Sequence, residues 1–105
     1  MKLSDIKKVH FIGIGGIGMS ALARLFLAEK KIVSGSDRTS SEITQALESE
    51  GVTFFPTQVG ENISPDMSLV VYTEAMAQDH EELVHARSLG IPTINYFDAL
   101  GIVAN

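Results

Sequence analysis

The segment Gly13-Ile14-Gly15-Gly16-Ile17-Gly18-Met19-Ser20 follows directly on the apolar run Val9-His10-Phe11-Ile12, and Asp37 closes a second apolar run about 20 residues further on. Those residue types at that spacing suit a bound diphosphate. Gly13 permits the tight turn, Gly15 brings the backbone up to a phosphate with no Cβ in the way, and Gly18 lets the following helix pack closely. The diphosphate then rests on the helix N-terminus, around Gly16, Ile17, Gly18 and Met19, where unpaired N–H groups and the helix dipole both favour an anion. Asp37 can accept hydrogen bonds from ribose hydroxyls, or serve as a turn residue ahead of a helix cap. Arg38 could pair with a 2′-phosphate, but Asp37 repels one, so an unphosphorylated ribose is expected.

A second polar group, Thr73-Glu74-Ala75, ends a later apolar run, where it either faces a ligand or forms a solvated loop. His10 lies within the first apolar run and reads as a core histidine rather than a catalyst. His80 and His85 point to different faces of a helix, so no metal site follows from them. The chain has no cysteine, no Gly-x-x-x-x-Gly-Lys-Ser/Thr loop for ATP phosphates and no Gly-x-Ser-x-Gly elbow. Binding, not catalysis, is the expectation for these residues alone.

The elements that must hold these groups alternate strand and helix, which predicts an α/β, Rossmann-like parallel sheet of about five strands, in the order 3-2-1-4-5, with helices on both faces. Strands are expected at Val9 to Ile14, Ile32 to Ser36, Val52 to Phe55, Leu69 to Tyr72 and Pro92 to Ile94. The helix after the glycines should run to about Glu29 and turn Gly18, Ala21, Leu22 and Leu25 to the core. Thr39 and Glu42 read as the capping box of a second helix with Ile43, Ala46 and Leu47 inward, ended by Gly51. Asp79 and Glu82 read as the cap of a third, with Leu83, Ala86 and Leu89 inward and Gly90 as its stop. Pro56 to Pro65 is a polar loop, and Phe97 to Val103 starts a final helix or linker. In this order the crevice between the first and fourth strands sets Gly13 to Gly18 beside Thr73 to Ala75.

The chain's 105 residues are enough for one domain and its core, with 45% hydrophobic and 20% charged residues. A net charge of −5, with no basic cluster beyond Lys7-Lys8 and Lys30-Lys31, argues against nucleic acid. No apolar run approaches the roughly 20 residues that span a bilayer, and no leader pattern precedes the first strand. A cytoplasmic protein is expected.

On Val9 to Ser20, and again on Val33-Ser34-Gly35-Ser36-Asp37, the chain resembles the N-terminal domain of the Mur ligases, and among them the branch that joins L-alanine to UDP-N-acetylmuramate. Ala86-Arg87 and Gly90-Ile91-Pro92 extend the likeness, so that it covers nearly the whole chain. Thr57-Gln58 stands where that family commonly has Gly-His, and Thr73-Glu74 where it has a Ser-Ser pair. The resemblance implies an ATP-dependent ligase of peptidoglycan synthesis, and so of cell shape and division. It implies that residues 1–105 are a single UDP-sugar-binding domain, non-catalytic alone. ATP and magnesium would then belong to a downstream domain, absent here together with the C-terminal one. By position, Gly15 to Gly18 would meet the diphosphate of UDP-N-acetylmuramate, Ser36 and Asp37 its uridine end, and Thr73 to Ala75 the rim. The related ligase that attaches recovered tripeptide shares the fold but usually has a different glycine turn. An NAD(H)-binding regulatory module would use the same turn and acid.

Overall fold

In the computed structural model, which describes residues 1–104, the five expected strands become β1 (Lys8–Ile12), β2 (Ile32–Ser36), β3 (Thr53–Phe55), β4 (Leu69–Tyr72) and β5 (Thr93–Asn95). Three helices join them, α1 (Ile17–Ala28), α2 (Glu42–Ser49) and α3 (Glu81–Ser88), a loop links β3 to β4, and a fourth helix, α4 (Tyr96–Ala104), follows β5. Every neighbouring pair of strands is parallel and the order is β3-β2-β1-β4-β5, as the alternation of strand and helix requires. Short 3-10 turns at Leu3–Asp5 and Gly60–Asn62 precede β1 and interrupt the Pro56 to Pro65 loop.

Alternate residues of the central strands face opposite layers. Val9 and Phe11 of β1, Val33 of β2 and Val71 of β4 meet Leu22, Phe26, Leu47 and Ala99 from α1, α2 and α4. On the other face, Ile12 and Val70 meet Leu83 and Ala86 of α3, together with Ile63, Met67 and Ile91. This second layer also holds His10, Ser34, Ser36 and Glu82, all buried.

Four local expectations are corrected, the first being Leu89, expected inward on α3 but exposed as the residue that ends it. The buried stripe of α1 is Met19, Leu22, Ala23 and Phe26, whereas Ala21 and Leu25 are exposed. The helix is apolar on two adjacent faces, so its period does not fix its phase, and the Gly18 side is taken by the Tyr96 ring of α4. The cap of α2 is Ser41, whose Oγ accepts from the Thr44 N–H at 3.2 Å while Thr44 Oγ1 accepts from the Ser41 N–H at 2.8 Å. Asp37 Oδ1 already accepts from Arg38 N–H and, more weakly, Thr39 N–H, so the chain is still turning where Thr39 was expected to cap. The cap of α3 is His80, whose Nδ1 accepts from the Glu82 N–H at 3.1 Å. Glu82 does not reach back to the helix start; its side chain is buried beneath the sheet.

Ile14, buried just after β1, packs against Gly35 of β2, where a Cβ would stand 2.6 Å from Ile14 Cβ. That contact is next to the Ile14 backbone, so no rotamer relieves it. Gly35→Ala is expected to cost about 3 kcal/mol, the upper end for an overpacked core. Urea unfolding checks this, and a midpoint equal to that of the parent chain would contradict it. At the surface, Arg24 Nε and Nη2 donate to Glu50 at 2.8 and 3.0 Å, tying α1 to the end of α2. The hydrogen bond holds the Glu50 carboxyl below its usual range and the Arg24 guanidinium above its own. Both groups are exposed, so this pair adds little to stability.

Candidate functional site

β1 leads into α1 on one face of the sheet and β4 into α3 on the other, so their carboxyl ends part and leave a crevice. Gly13 starts the turn at φ +82°, a left-handed conformation that glycine takes without penalty. Its N–H and that of Ile14 both donate to the Ser36 carbonyl, at 2.8 and 2.9 Å. The next free amide, Gly15 N–H, donates to Asp37 Oδ2 at 2.9 Å. The tip of β2 therefore clamps the glycine loop through two successive residues. α1 begins at Ile17 with Gly16 as its cap and no side-chain acceptor there, which leaves its first-turn amides suited to an outside anion.

A cavity of about 730 Å³ opens on this edge, within the range that holds a nucleotide-sized ligand. It is lined by Gly13 from the loop, Asp37 and Arg38 from the tip of β2, and Gln58 from the segment after β3. Thr73, Ala75, Met76 and Ala77 after β4, with His80 and Glu81 at the start of α3, complete the wall. A smaller space of about 350 Å³ adjoins the other side of the loop, between Gly16, Gly18 and Met19, the pair Thr73 and Glu74, and the rings of Tyr96 and Phe97. The segment joining them is held at both ends: Asn95 Nδ2 donates to Glu74 Oε1 at 2.7 Å, and Arg87 donates to Gln78 O and Oε1 at 3.2 and 2.8 Å.

The structure thus brings Gly13, Asp37, Arg38, Thr73 and Ala75 together around one cavity and Gly16, Gly18, Met19 and Glu74 around the next. Gly15 lies between them with its amide on Asp37, and Ile17 is 84% exposed at the start of α1. Ser36 is fully buried, and its hydroxyl donates to Glu82. The sequence reading did not assign Gln58, Met76, Ala77, His80 and Glu81 to the wall. The signal for Gln58 and His80 was their place on segments that follow carboxyl ends of strands, since that whole edge faces the crevice. Behind Gln58 runs a buried polar chain in which His10 bonds Ser34 and Glu82, as expected of a satisfied core histidine.

Chemically, the edge offers backbone N–H groups, the Arg38 guanidinium and the carboxylates of Asp37 and Glu81, and so fits a polyol joined to an anion that rests on the N–H groups. Among the described residues, no group of three or more His, Asp or Glu is placed to hold a metal ion. No described helix is long and apolar enough to cross a membrane.

Comparison with known proteins gives a match to the model described as "Mur ligase family, catalytic domain" over residues 8–105. The chain is 50% identical over 95 residues to the UDP-N-acetylmuramate–L-alanine ligase of Clostridium kluyveri, an alignment that covers 90% of this chain and 21% of that protein. Its fold superposes with a TM-score of 0.82 on the crystal structure of the UDP-N-acetylmuramate–alanine ligase of Thermotoga maritima, at 37% identity, over 87% of this chain and 21% of that one. A murein peptide ligase from Psychrobacter arcticus superposes with a TM-score of 0.83 at 27% identity, over 90% of this chain and 20% of that one. The chain therefore spans about a fifth of the length of the relatives it matches.

Proposed function

This chain belongs to the Mur ligase family, and we propose that its role there is to hold the UDP part of UDP-N-acetylmuramate for a ligase that adds L-alanine in peptidoglycan synthesis. The observation that carries the reading is the 50% identity to an L-alanine ligase over 90% of the chain. The two solved relatives match the fold equally well, so shape does not separate the alanine-adding branch from the peptide-adding one. The identities of 37% against 27% favour the former.

In this reading the diphosphate lies on the loop and the first turn of α1, from Gly13 and Gly15 through Gly16, Ile17, Gly18 and Met19. The uridine end meets Asp37 and Arg38, with Ser36 anchoring the tip behind them. Thr73, Glu74 and Ala75 form the rim. Asp37 keeps the capacity for this role, because a carboxylate has about four lone-pair sites and three N–H groups occupy it here. ATP and magnesium would be held by the remainder of a longer, cytoplasmic protein. The sequence carries no Gly-x-x-x-x-Gly-Lys-Ser/Thr loop for ATP phosphates.

The test is a calorimetric titration of the chain with UDP-N-acetylmuramate and, separately, NADH. The UDP-sugar is expected to bind and NADH not to. Binding of NADH alone would move the chain to nicotinamide sensing, and binding of neither would overturn the reading for this chain. Within the same experiment, Asp37→Ala is expected to weaken UDP binding by about 1 to 3 kcal/mol, the scale of hydrogen bonds to a charged group. Equal affinity of the parent chain for UDP and its 2′-deoxy analogue would contradict that role.

A further inference from the structure

The cavity wall residue Gln58 is the outer end of a chain of hydrogen bonds whose inner members are buried. His10, Ser36 and Glu82 are fully buried and Ser34 nearly so. Glu82 Oε1 meets His10 Nε2 at 2.5 Å, and Glu82 Oε2 accepts from Ser36 Oγ at 2.7 Å. Ser36 Oγ in turn lies 3.4 Å from Gln58 Nε2, and Gln58 Oε1 lies 3.4 Å from His80 Nε2. His80 Nδ1 accepts from the backbone N–H of Glu82 itself, at 3.1 Å.

A carboxylate only accepts hydrogen bonds, so the Ser36 hydroxyl must donate its one proton inward. Its oxygen can then only accept from the outside, which turns the nitrogen of the Gln58 amide toward Ser36. From the other end, His80 Nδ1 is committed as an acceptor, so Nε2 carries the proton and requires the oxygen of that amide. Both neighbours demand the same orientation. The outer two bonds are long, so what they transmit is direction more than strength. Gln58 is left with one N–H and one lone pair, in a fixed order, for whatever occupies the cavity.

We infer that Glu82 and Ser36 act as positioning residues that lock the Gln58 amide, and that the locked amide reads the base edge of the nucleotide. The inference rests on the proposed function for the nature of the ligand. Uracil offers a donor at N3 and an acceptor at O4, which a primary amide can meet with its own oxygen and N–H. Cytosine offers the reverse order and requires the amide turned round. A locked amide therefore discriminates between UDP and CDP, and a released one does not.

The test is calorimetry of UDP and CDP against the whole chain and its Ser36→Ala, Gln58→Ala and doubly substituted forms, with the Gln58 side-chain amide followed by NMR without ligand. The parent chain is expected to prefer UDP by about tenfold, the scale of one bidentate base contact. Ser36→Ala should bring that ratio close to one and move the Gln58 amide signals. In the Gln58→Ala background, the same change should leave the ratio where it is. A merely structural role for Ser36 would lower the melting temperature without altering the ratio. An unchanged UDP-to-CDP ratio in Ser36→Ala overturns the proposal. If no nucleotide binds, the reading of the cavity falls on its own, and unmoved Gln58 amide signals in Ser36→Ala then overturn the lock.

Discussion

Glu82→Ala is expected to destabilise the chain by about 3 to 5 kcal/mol, the loss seen when one member of a buried, hydrogen-bonded pair is removed. The substitution strips His10 Nε2 and the Ser36 hydroxyl of their acceptor at once, and both are fully buried. It also empties buried space on the face of the sheet that α3 covers. Against a total stability on the order of 5 to 15 kcal/mol for a domain of this size, such a loss is about a fifth or more. Glu82→Gln should cost distinctly less. The amide can keep its oxygen toward Ser36 and turn its nitrogen to His10, whose ring can accept at Nε2 once its proton sits at Nδ1 and points to Ser34 Oγ, 2.8 Å away. Chemical unfolding followed by circular dichroism measures both variants. A loss below about 1 kcal/mol for Glu82→Ala would show that water or repacking satisfies the orphaned groups.

The largest effect on binding is expected from Gly15→Val, with UDP-N-acetylmuramate affinity falling by about 100-fold or more. A Cβ at Gly15 would lie 2.7 Å from Asp37 Oδ2 and 3.3 Å from Thr44 Cγ2. The branched side chain thus expels the Asp37 carboxylate and stands in front of the loop amides. Losing the Asp37 contact to the ribose and one contact from the first-turn amides of α1, each a charge-assisted hydrogen bond at about 1.5 to 3 kcal/mol, gives that factor. Gly15 is outside the left-handed region that Gly13 occupies, so its backbone accepts a side chain and the fold should survive. Calorimetry and a thermal melt, run on the same sample, separate the two effects. Undiminished affinity in a folded variant would remove the diphosphate from the loop.

How far the sequence revealed this molecule depended on how local each cause is. β4 has the bounds expected of it, because its four residues Leu69 to Tyr72 read as an unbroken apolar run, and β2 has them because the Lys30-Lys31 pair and Asp37 flank it closely on either side. The sheet order followed from handedness and short connections, which leave few alternatives. The place of Asp37 at the tip of β2, on the cavity wall, was legible because it directly follows that strand in the sequence. Glu82 was not. An acid three residues after Asp79 looks like part of a cap, and only the return of β1 beneath α3 gives it His10, 72 residues away in sequence. The phase of α1 was hidden for the same reason, since the ring that occupies its Gly18 side comes from α4. Gln58 sits in a loop with no period of its own, and its role in the wall follows from Ser36 and His80, which no local pattern links to it.

The bond from Gly15 N–H to Asp37 also governs the thermodynamics of anything that binds at the loop. A phosphate arriving there does not find an idle donor; it trades places with, or shares, a carboxylate that already stands in for it. The tally of hydrogen bonds at that amide stays level through the exchange, so its enthalpy contributes little to affinity, and the favourable balance must come from the uncapped amides of the first turn of α1. Held by the Ser36 carbonyl and the Asp37 carboxylate, the loop also has little conformational freedom to surrender on association. Gly15 should therefore exchange its amide proton slowly with or without nucleotide, while the protection gained on binding concentrates at Ile17, Gly18 and Met19.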